Sequence, residues 1–306
     1  MQSKQATFSD RALRLLQQAV RRARWRLACK LHKQIVVKTN QGLFTTFADD
    51  WAIGRALFEE GGYEFDESLR ALQFLKSRGF IPRTDVLMYD IGANIGIISI
   101  GLLNAGEIDF AVAIEPDPDN FYLLQKNVAQ NQLTDKLLSI QTAISSEPAT
   151  LTMHHSKLNR GDHRTTKEDI DIGRGKITVP AVTLDDICSR GEATERHFEK
   201  PHLLWMDVQG FEGHILAGAE ETICNGIPVV LEVSPYGLIA AGTQLESFAA
   251  IVQSKWTHFW IESQERFVPF PISVFDCLLD FIGPDENHYL NVILTSGKGL
   301  ARDELL

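Results

Sequence analysis

Residues 86–98 read Val-Leu-Met-Tyr-Asp-Ile-Gly-Ala-Asn-Ile-Gly-Ile-Ile, and this stretch decides the fold. An apolar run reaches Asp90, and two glycines and an asparagine then interrupt it before a second apolar run begins. This order predicts a buried strand, a tight turn and the start of a helix. Backbone can approach a ligand closely at such a turn, so four residues are candidates for contacting one: Asp90, Gly92, Asn94 and Gly96.

Strands and helices alternate along the chain outward from this turn. The apolar runs VLMYDI, FAVAIEP, KLLSIQTAI, HLLWMDV and IPVVLEV predict five core strands separated by helices. WTHFWIES and HYLNVILT predict two more, which can pair as a hairpin. The sequence therefore predicts an α/β fold, a Rossmann-like seven-stranded sheet that is mainly parallel with its last strand antiparallel. A dinucleotide-binding fold has six strands instead.

The chain divides into two predicted parts. Residues 1–82 form a basic helix, at about 8–33, and a lead-in segment that contains a hairpin, IVVKT and GLFTTF. Residues 83–306 form the main domain, with an irregular insertion at about 145–175. KITVPAVTL after the insertion predicts a strand that leads into a short helix.

The residues around the turn indicate which ligand it holds. The G-x-G-x-x-G spacing of a dinucleotide loop is absent, and the Asp90 carboxylate would repel a pyrophosphate. A ligand with an ammonium group and no phosphate suits it better, and S-adenosylmethionine is such a ligand. Glu115 ends the second strand, where a carboxylate can accept both ribose hydroxyls. Glu115 alone fits NAD equally well, but together with Asp90 it favours the methyl donor.

The motifs YDIGANIG, IEPDP, AVTLDDI, MDVQGFEGHIL and VLEV together resemble the FkbM-type family of S-adenosylmethionine-dependent methyltransferases, over about 85–295. The resemblance implies a seven-stranded methyltransferase fold and methylation of oxygen, often on a sugar hydroxyl of a glycan or a secondary metabolite. It also implies roles for site residues. The turn residues Asp90, Gly92, Asn94 and Gly96 would hold the methionine end, Glu115-Pro116 the ribose, Thr142-Ala143 the adenine, and Asp207 would face the methyl group.

One position departs from the family pattern. A lysine usually stands two residues before the motif aspartate, and this chain has Trp205 there. If that lysine orients the substrate, this chain must do so by other means. The substrate can differ as well.

A sugar hydroxyl needs a base within hydrogen-bond reach. Three carboxylates lie at or just beyond strand ends, Asp207, Glu212 and Glu232, and the insertion adds His154, His155 and His163. We expect Asp207 near the methyl group and His163 as the base. The alternatives are an N-cap role for Asp207 and a surface-loop position for His163. No metal is expected, although His154-His155 together with a carboxylate would be an alternative set of metal ligands. Tyr63-Glu64 in the lead-in segment could close over the cofactor.

Composition limits the remaining possibilities. The four cysteines show no paired spacing, and no apolar run has the ~20 residues of a membrane span, so we expect a cytoplasmic protein. Residues 1–38 hold ten Lys or Arg and one acid, whereas the remainder holds 20 basic and 39 acidic residues. The acidic body argues against nucleic acid as the partner. The basic helix suggests contact with the inner face of a membrane, or simple packing on the acidic body.

A small-molecule, glycan or glycolipid acceptor is therefore the expected partner. A nucleic-acid methyltransferase, a dehydrogenase and a cofactor-binding protein without turnover remain alternatives. The sequence does not determine the oligomeric state.

Overall fold

A computed structural model describes residues 8–156, 159–165, 173–189 and 200–297. The helices in these ranges are α1 (Phe8–Leu31), α2 (Ile53–Glu60), α3 (Phe65–Ser77), α4 (Ile97–Asn104), α5 (Pro118–Gln130), α6 (Leu184–Ser189), α7 (Glu212–Ala217), α8 (Pro235–Ala240), α9 (Leu245–Lys255) and α10 (Phe275–Ile282). A 3-10 turn, Ile272–Val274, precedes α10.

The strands form three sheets. They are β1 (Gln34–Lys38), β2 (Leu43–Phe47), β3 (Leu87–Ile91), β4 (Phe110–Ile114), β5 (Leu137–Ile140), β6 (Ala143–Ile144), β7 (Ala149–Ser156), β8 (Arg164–Thr165), β9 (Gly173–Val182), β10 (Leu203–Met206), β11 (Val229–Val233), β12 (His258–Ser263), β13 (Arg266–Pro271) and β14 (Leu290–Thr295).

The largest sheet has the order β13-β12-β14-β11-β10-β3-β4-β5. Strands β5, β4, β3, β10 and β11 run parallel, whereas β14 lies antiparallel to β11 and to β12. All five residues of β3 are buried because helices cover both faces of the sheet. This arrangement confirms the predicted α/β class, the mainly parallel sheet and the antiparallel last strand.

Chain order reverses next to β3, which lies between β4 and β10. Successive strands continue outward from β3 through β4 and β5 on one side, and through β10 and β11 on the other. Their connections therefore separate at the carboxyl end of β3. In open α/β sheets a crevice forms at such a point, and ligands bind there.

Two details of the predicted strand pattern are wrong. The hairpin partner of β12 is β13, an eighth edge strand, and β12 and β14 pair although α10 separates them in sequence. The prediction missed β13 because its two prolines, Pro269 and Pro271, are rare inside a central strand. They are tolerated here because β13 lies at the edge of the sheet.

The insertion is not irregular. Strands β6, β9, β7 and β8 form a second sheet, and β7 pairs with β9 along most of its length. KITVPAVTL therefore belongs to this second sheet, and so does the end of KLLSIQTAI, because the chain leaves the main sheet between Ile140 and Ala143. Residues 157, 158 and 166–172 of the insertion lie outside the described residues.

The lead-in segment packs against the main sheet's helices. The predicted β1–β2 hairpin is present. The side-chain amides of Asn127 and Gln130 on α5, and of Asn131 at its C-cap, bond to the backbone of β2. Helix α1 contacts α2. In the described parts of the chain, no helix is both long enough and apolar enough to cross a bilayer.

Candidate active site

A cleft opens at the carboxyl end of β3, and it has two lobes of about 590 Å³ each. The Glu115 lobe is lined by Glu115, Pro116, Thr142, Ala143 and His163, among others. The Asp90 lobe is lined by Asp90, Tyr63, Glu64, Trp205 and Ile53, among others. Both lobes share Gly92, Asn94, Gly161, Asp207 and Gln209. The fold thus brings together nine of the ten residues expected to bind the cofactor or act in catalysis; the tenth, Gly96, is the N-cap of α4 and packs on Leu124 and Ile100 instead. The other candidates line neither lobe: Glu212, Glu232, His154 and His155.

Gly92 closes the turn in a way that no other residue could. Its φ is +87°. Its backbone amide and that of Ala93 both donate hydrogen bonds to the carbonyl of Ile114, and each donor–acceptor distance is 3.0 Å. A Cβ at this position would lie 2.0 Å from the carbonyl oxygen of Asp207. The glycine therefore lets β3, β4 and β10 end side by side, and it holds the floor shared by the two lobes.

Glu115 has an unusual environment for a carboxyl group. Its Oε2 accepts a hydrogen bond from the backbone amide of Asn94, and its Oε1 accepts one from the backbone amide of Asp117; each donor–acceptor distance is 2.8 Å. Burial raises its pKa to about 8, although these two bonds oppose the shift. Each carboxylate oxygen has a second lone pair, so Glu115 can still accept ribose hydroxyls.

Asp90 lies in the other lobe and is almost fully buried. Its Oδ2 accepts a hydrogen bond from the Ser99 hydroxyl at a distance of 2.5 Å. Burial raises the pKa of Asp90 to about 6. Asn94 borders both lobes, and its buried Oδ1 has no hydrogen-bond partner among the described residues. A carboxyl group and an unpaired amide oxygen both suit a cationic or hydrogen-bond-donating ligand, as the amino end of S-adenosylmethionine would be.

Asp207 lies at the junction of the lobes, directly after β10. Its Oδ1 accepts a hydrogen bond from the side-chain amide of Gln209 at a distance of 2.6 Å. Burial raises the pKa of Asp207. It does not cap α7: the N-cap of that helix is Phe211, which makes no side-chain cap bond. Glu212 instead holds the turn, because its Oε1 accepts from the amides of Val208 and Gly210.

Two further acids surround Asp207, and their carboxyls repel one another. Desolvation by the surrounding protein, and after it the Asp207 charge, raises the pKa of Glu64 to about 7 and that of Glu232 to about 9, although Glu64 retains substantial solvent exposure. Arg164 opposes the shift of Glu232. Trp205, at the position of the family's lysine, places an indole rather than a cation in the Asp90 lobe. The result is a group of carboxyls that are readily protonated near neutral pH.

The segment 159–163, which leads into β8 of the second sheet, supplies a cover for the cleft. Arg160 binds Asp49 and Asp119 with its guanidinium, which also lies 3.9 Å over the ring of Phe47. Its carbonyl accepts from the side-chain amides of Asn94 and Asn120. The sequence did not indicate Arg160, because its partners come from segments that lie 40 or more residues earlier in the chain.

His163 lines the Glu115 lobe and does not line the Asp90 lobe. Its Nδ1 accepts a hydrogen bond from the backbone amide of Ser156 at a distance of 3.2 Å. Its ring stacks on that of His155, with the ring centroids 4.4 Å apart. The Nε2 of His155 lies 2.7 Å from Asp117 Oδ2, and His163 and His155 help to lower the pKa of Asp117.

Asp117, His155 and His163 are also the candidate metal ligands among the described residues, with ligand atoms within 4.8 Å of one another. The imidazole planes are only 29° apart. An imidazole lone pair lies in the ring plane, so two nearly parallel stacked rings direct their lone pairs along separate lines. The arrangement suits an ion pair better than a shared metal ion.

Comparison with known proteins agrees with this geometry. The family model described as the methyltransferase FkbM domain matches residues 90–254, more than half of the chain. The chain belongs to the FkbM methyltransferase family. Its cofactor is therefore S-adenosylmethionine, and the acidic, phosphate-averse cleft fits that ligand.

Individual relatives are more distant. The chain is similar to the 2-O-methyltransferase NoeI of Sinorhizobium fredii, with 26% identity over 64% of this chain and 82% of that protein. The crystal structure of an FkbM methyltransferase from Methylobacillus flagellatus is 14% identical, covers 79% of this chain and 65% of its own, and has a TM-score of 0.42. The tRNA m1G37 methyltransferase of M. jannaschii is 12% identical over 87% of this chain and 55% of its own, also with a TM-score of 0.42. The chain thus spans about two thirds or less of these two structures, and at such scores they carry no inference about the site.

Proposed function

We propose that this methyltransferase transfers the methyl group to a hydroxyl oxygen of a sugar, in a glycan, a glycolipid or a glycosylated metabolite. The observation that carries the proposal is the group of carboxyls around the junction of the lobes: Asp207, Glu64 and Glu232. Methylating a hydroxyl requires removal of a proton, and a base works best when its pKa is near the working pH. Glu64, with a pKa of about 7, meets that condition.

We assign the cofactor contacts as follows. Asp90 and Asn94 would hold the amino end, Glu115 the ribose diol, and Thr142-Ala143 the adenine; Gly92 provides close backbone approach. When bound, S-adenosylmethionine supplies the electrophilic methyl group. Positioning accounts for much of the rate of such a transfer, because it removes the entropy cost of bringing two reactants together.

The base in this proposal is Glu64 rather than His163. Glu64 lines the Asp90 lobe and accepts a hydrogen bond from Tyr63, which orients its carboxylate. His163 faces the Glu115 lobe, on the ribose side. Asp207, between the lobes, would accept a hydrogen bond from the acceptor sugar and orient it toward the methyl group.

The same carboxyls disfavour a nucleic-acid acceptor. A phosphodiester entering the Asp90 lobe would meet Asp90, Glu64 and Asp207, and no lysine or arginine of the described lining is there to compensate its charge. A neutral or amino sugar carries no such penalty. The 2-O-methyltransferase name of the NoeI relative also supports oxygen as the acceptor atom.

The test measures S-adenosylhomocysteine release over a panel of oligosaccharides, glycolipids and RNA. We expect turnover with a sugar acceptor, and a fall of kcat on the acid side of pH 7. Glu64→Gln should lower kcat by about 100-fold or more and abolish that limb. Asp66→Asn removes an exposed acid in the first turn of α3; it is the matched control and should change neither. Turnover confined to RNA, or an unchanged pH profile in Glu64→Gln, would refute the proposal.

A further inference from the structure

Helix α1 exposes a continuous apolar stripe. Leu13, Leu16, Val20, Leu27 and Leu31 are each 51–66% exposed. At about 100° per residue, these five side chains fall within about 60° of one another around the helix axis. Exposed leucines are ordinary when scattered, but five on one face form a patch that marks an interaction surface.

The opposite side of α1 is fixed to the protein. Trp25 is fully buried, and its ring centroid lies 5.4 Å from that of Phe58 on α2. The Arg21 guanidinium donates a hydrogen bond to the backbone carbonyl of Glu59 at a distance of 2.5 Å. The Nε of Arg22 lies 3.9 Å from Oε2 of the Glu59 carboxylate. On the same geometry Trp25 is about 140° from the centre of the stripe, so the docked face points the stripe away from the body.

Basic side chains border the stripe. Arg24 adjoins one edge and Lys30 the other, and both are exposed, as is Arg26 beyond Lys30. An apolar stripe with basic flanks is the pattern of a helix that lies in the plane of a membrane interface. Basic residues near an anionic leaflet each add to that attraction.

We propose that α1 binds the surface of an anionic lipid bilayer, with the stripe facing the acyl chains and the flanking Arg and Lys at the headgroups. A second copy of the chain is a poorer occupant, because two stripes packed together would bring their arginines and lysines into apposition. The acidic remainder of the chain would repel an anionic surface, so the attraction must come from α1 itself.

Helix α2 connects this surface to the cleft. Its Phe58 packs on Trp25 of α1, and its Ile53 lines the Asp90 lobe. A bilayer under α1 would therefore lie beside the part of the cleft that receives an acceptor. The lipid proposal depends only on α1, so it stands or falls separately from the proposed sugar methylation.

The experiment is co-sedimentation of the full chain with vesicles of phosphatidylcholine, with and without phosphatidylglycerol. We expect binding only when phosphatidylglycerol is present, and weaker binding at raised salt. Leu16→Gln should weaken binding about 5- to 10-fold, and the triple change of Leu16, Val20 and Leu27 to Gln about 100-fold or more. Glutamine keeps a high helix propensity, and far-UV circular dichroism checks that α1 remains folded.

Leu15→Gln is the matched control. Leu15 is 60% exposed, next to Leu16 in sequence, and about 140° from the centre of the stripe. Its change should leave vesicle binding within about twofold of the wild type. The proposal is overturned if the wild type does not sediment, if Leu15→Gln and Leu16→Gln act equally, or if the triple variant binds as well as the wild type. A dimer in light scattering that Leu16→Gln dissociates, without vesicle binding, would assign the stripe to a second copy instead.

Discussion

Replacing Glu115 by glutamine tests the cofactor assignment most directly. Two ribose hydroxyls donating to a charged carboxylate contribute about 3–6 kcal/mol. With a pKa of about 8, Glu115 is mostly protonated at pH 7 before the ligand binds, and ionising it costs about 1 kcal/mol. About 2–5 kcal/mol remains. We therefore expect S-adenosylhomocysteine to bind Glu115→Gln about 30- to 4,000-fold more weakly than the wild type.

The control must separate lost ligand contacts from a damaged turn. Glu212 is also fully buried and accepts from two backbone amides, but it lines neither lobe. Glu212→Gln imposes the same conflict between an amide donor and backbone N–H groups. Both variants should lose stability, but only Glu115→Gln should lose much affinity in calorimetric titration.

Protons give a second signature of the same contact. Ribose hydroxyls favour the ionised form of Glu115, so binding at pH 7 should release close to one proton from it. Affinity should rise about tenfold per pH unit toward pH 8, and then level off. In Glu115→Gln this dependence should disappear. Equal affinities of Glu115→Gln and Glu212→Gln, or wild-type affinity independent of pH between 6 and 8, would show that Glu115 does not contact the ribose.

Two further predictions concern stability. Gly92→Ala should lower the free energy of unfolding by about 3 kcal/mol or more, because its Cβ would overlap the Asp207 carbonyl. Gly106 has a φ of +71° and open space around a new Cβ, so Gly106→Ala should cost only about 1–2 kcal/mol. Equal losses for the two variants in urea titration would refute the close-approach argument. Without cofactor, thermal stability should fall from pH 6 to pH 9. The buried acids Glu212 and Glu115 have pKa values raised to about 7 and about 8, so the native state binds more protons than the unfolded state in this window. A midpoint rising with pH would contradict the burial of these acids.

Local sequence determined the core strands and the turn. Strand β3 is recognisable because a strand covered on both faces is a short apolar run, and Gly92 because a close backbone approach excludes any side chain. Asp90 and Glu115 were identifiable for a related reason: in a parallel sheet, residues at strand ends meet at one edge. These are short-range constraints, and the sequence states them directly.

Tertiary structure alone decided the surroundings of the cleft. Glu64, which precedes α3, lies near Asp207 only because α3 packs on α4, the helix that follows β3. Arg160 covers the cleft only because its partners, Asp49 and Asp119, converge from distant segments. The second sheet was hidden because the break after Ile140 carries no composition signal. Burial and charge repulsion raise the pKa values of the acids, and both depend on which groups become neighbours after folding. The sequence thus identified the methyl donor, while the candidate base and the cover of the cleft became visible only in three dimensions.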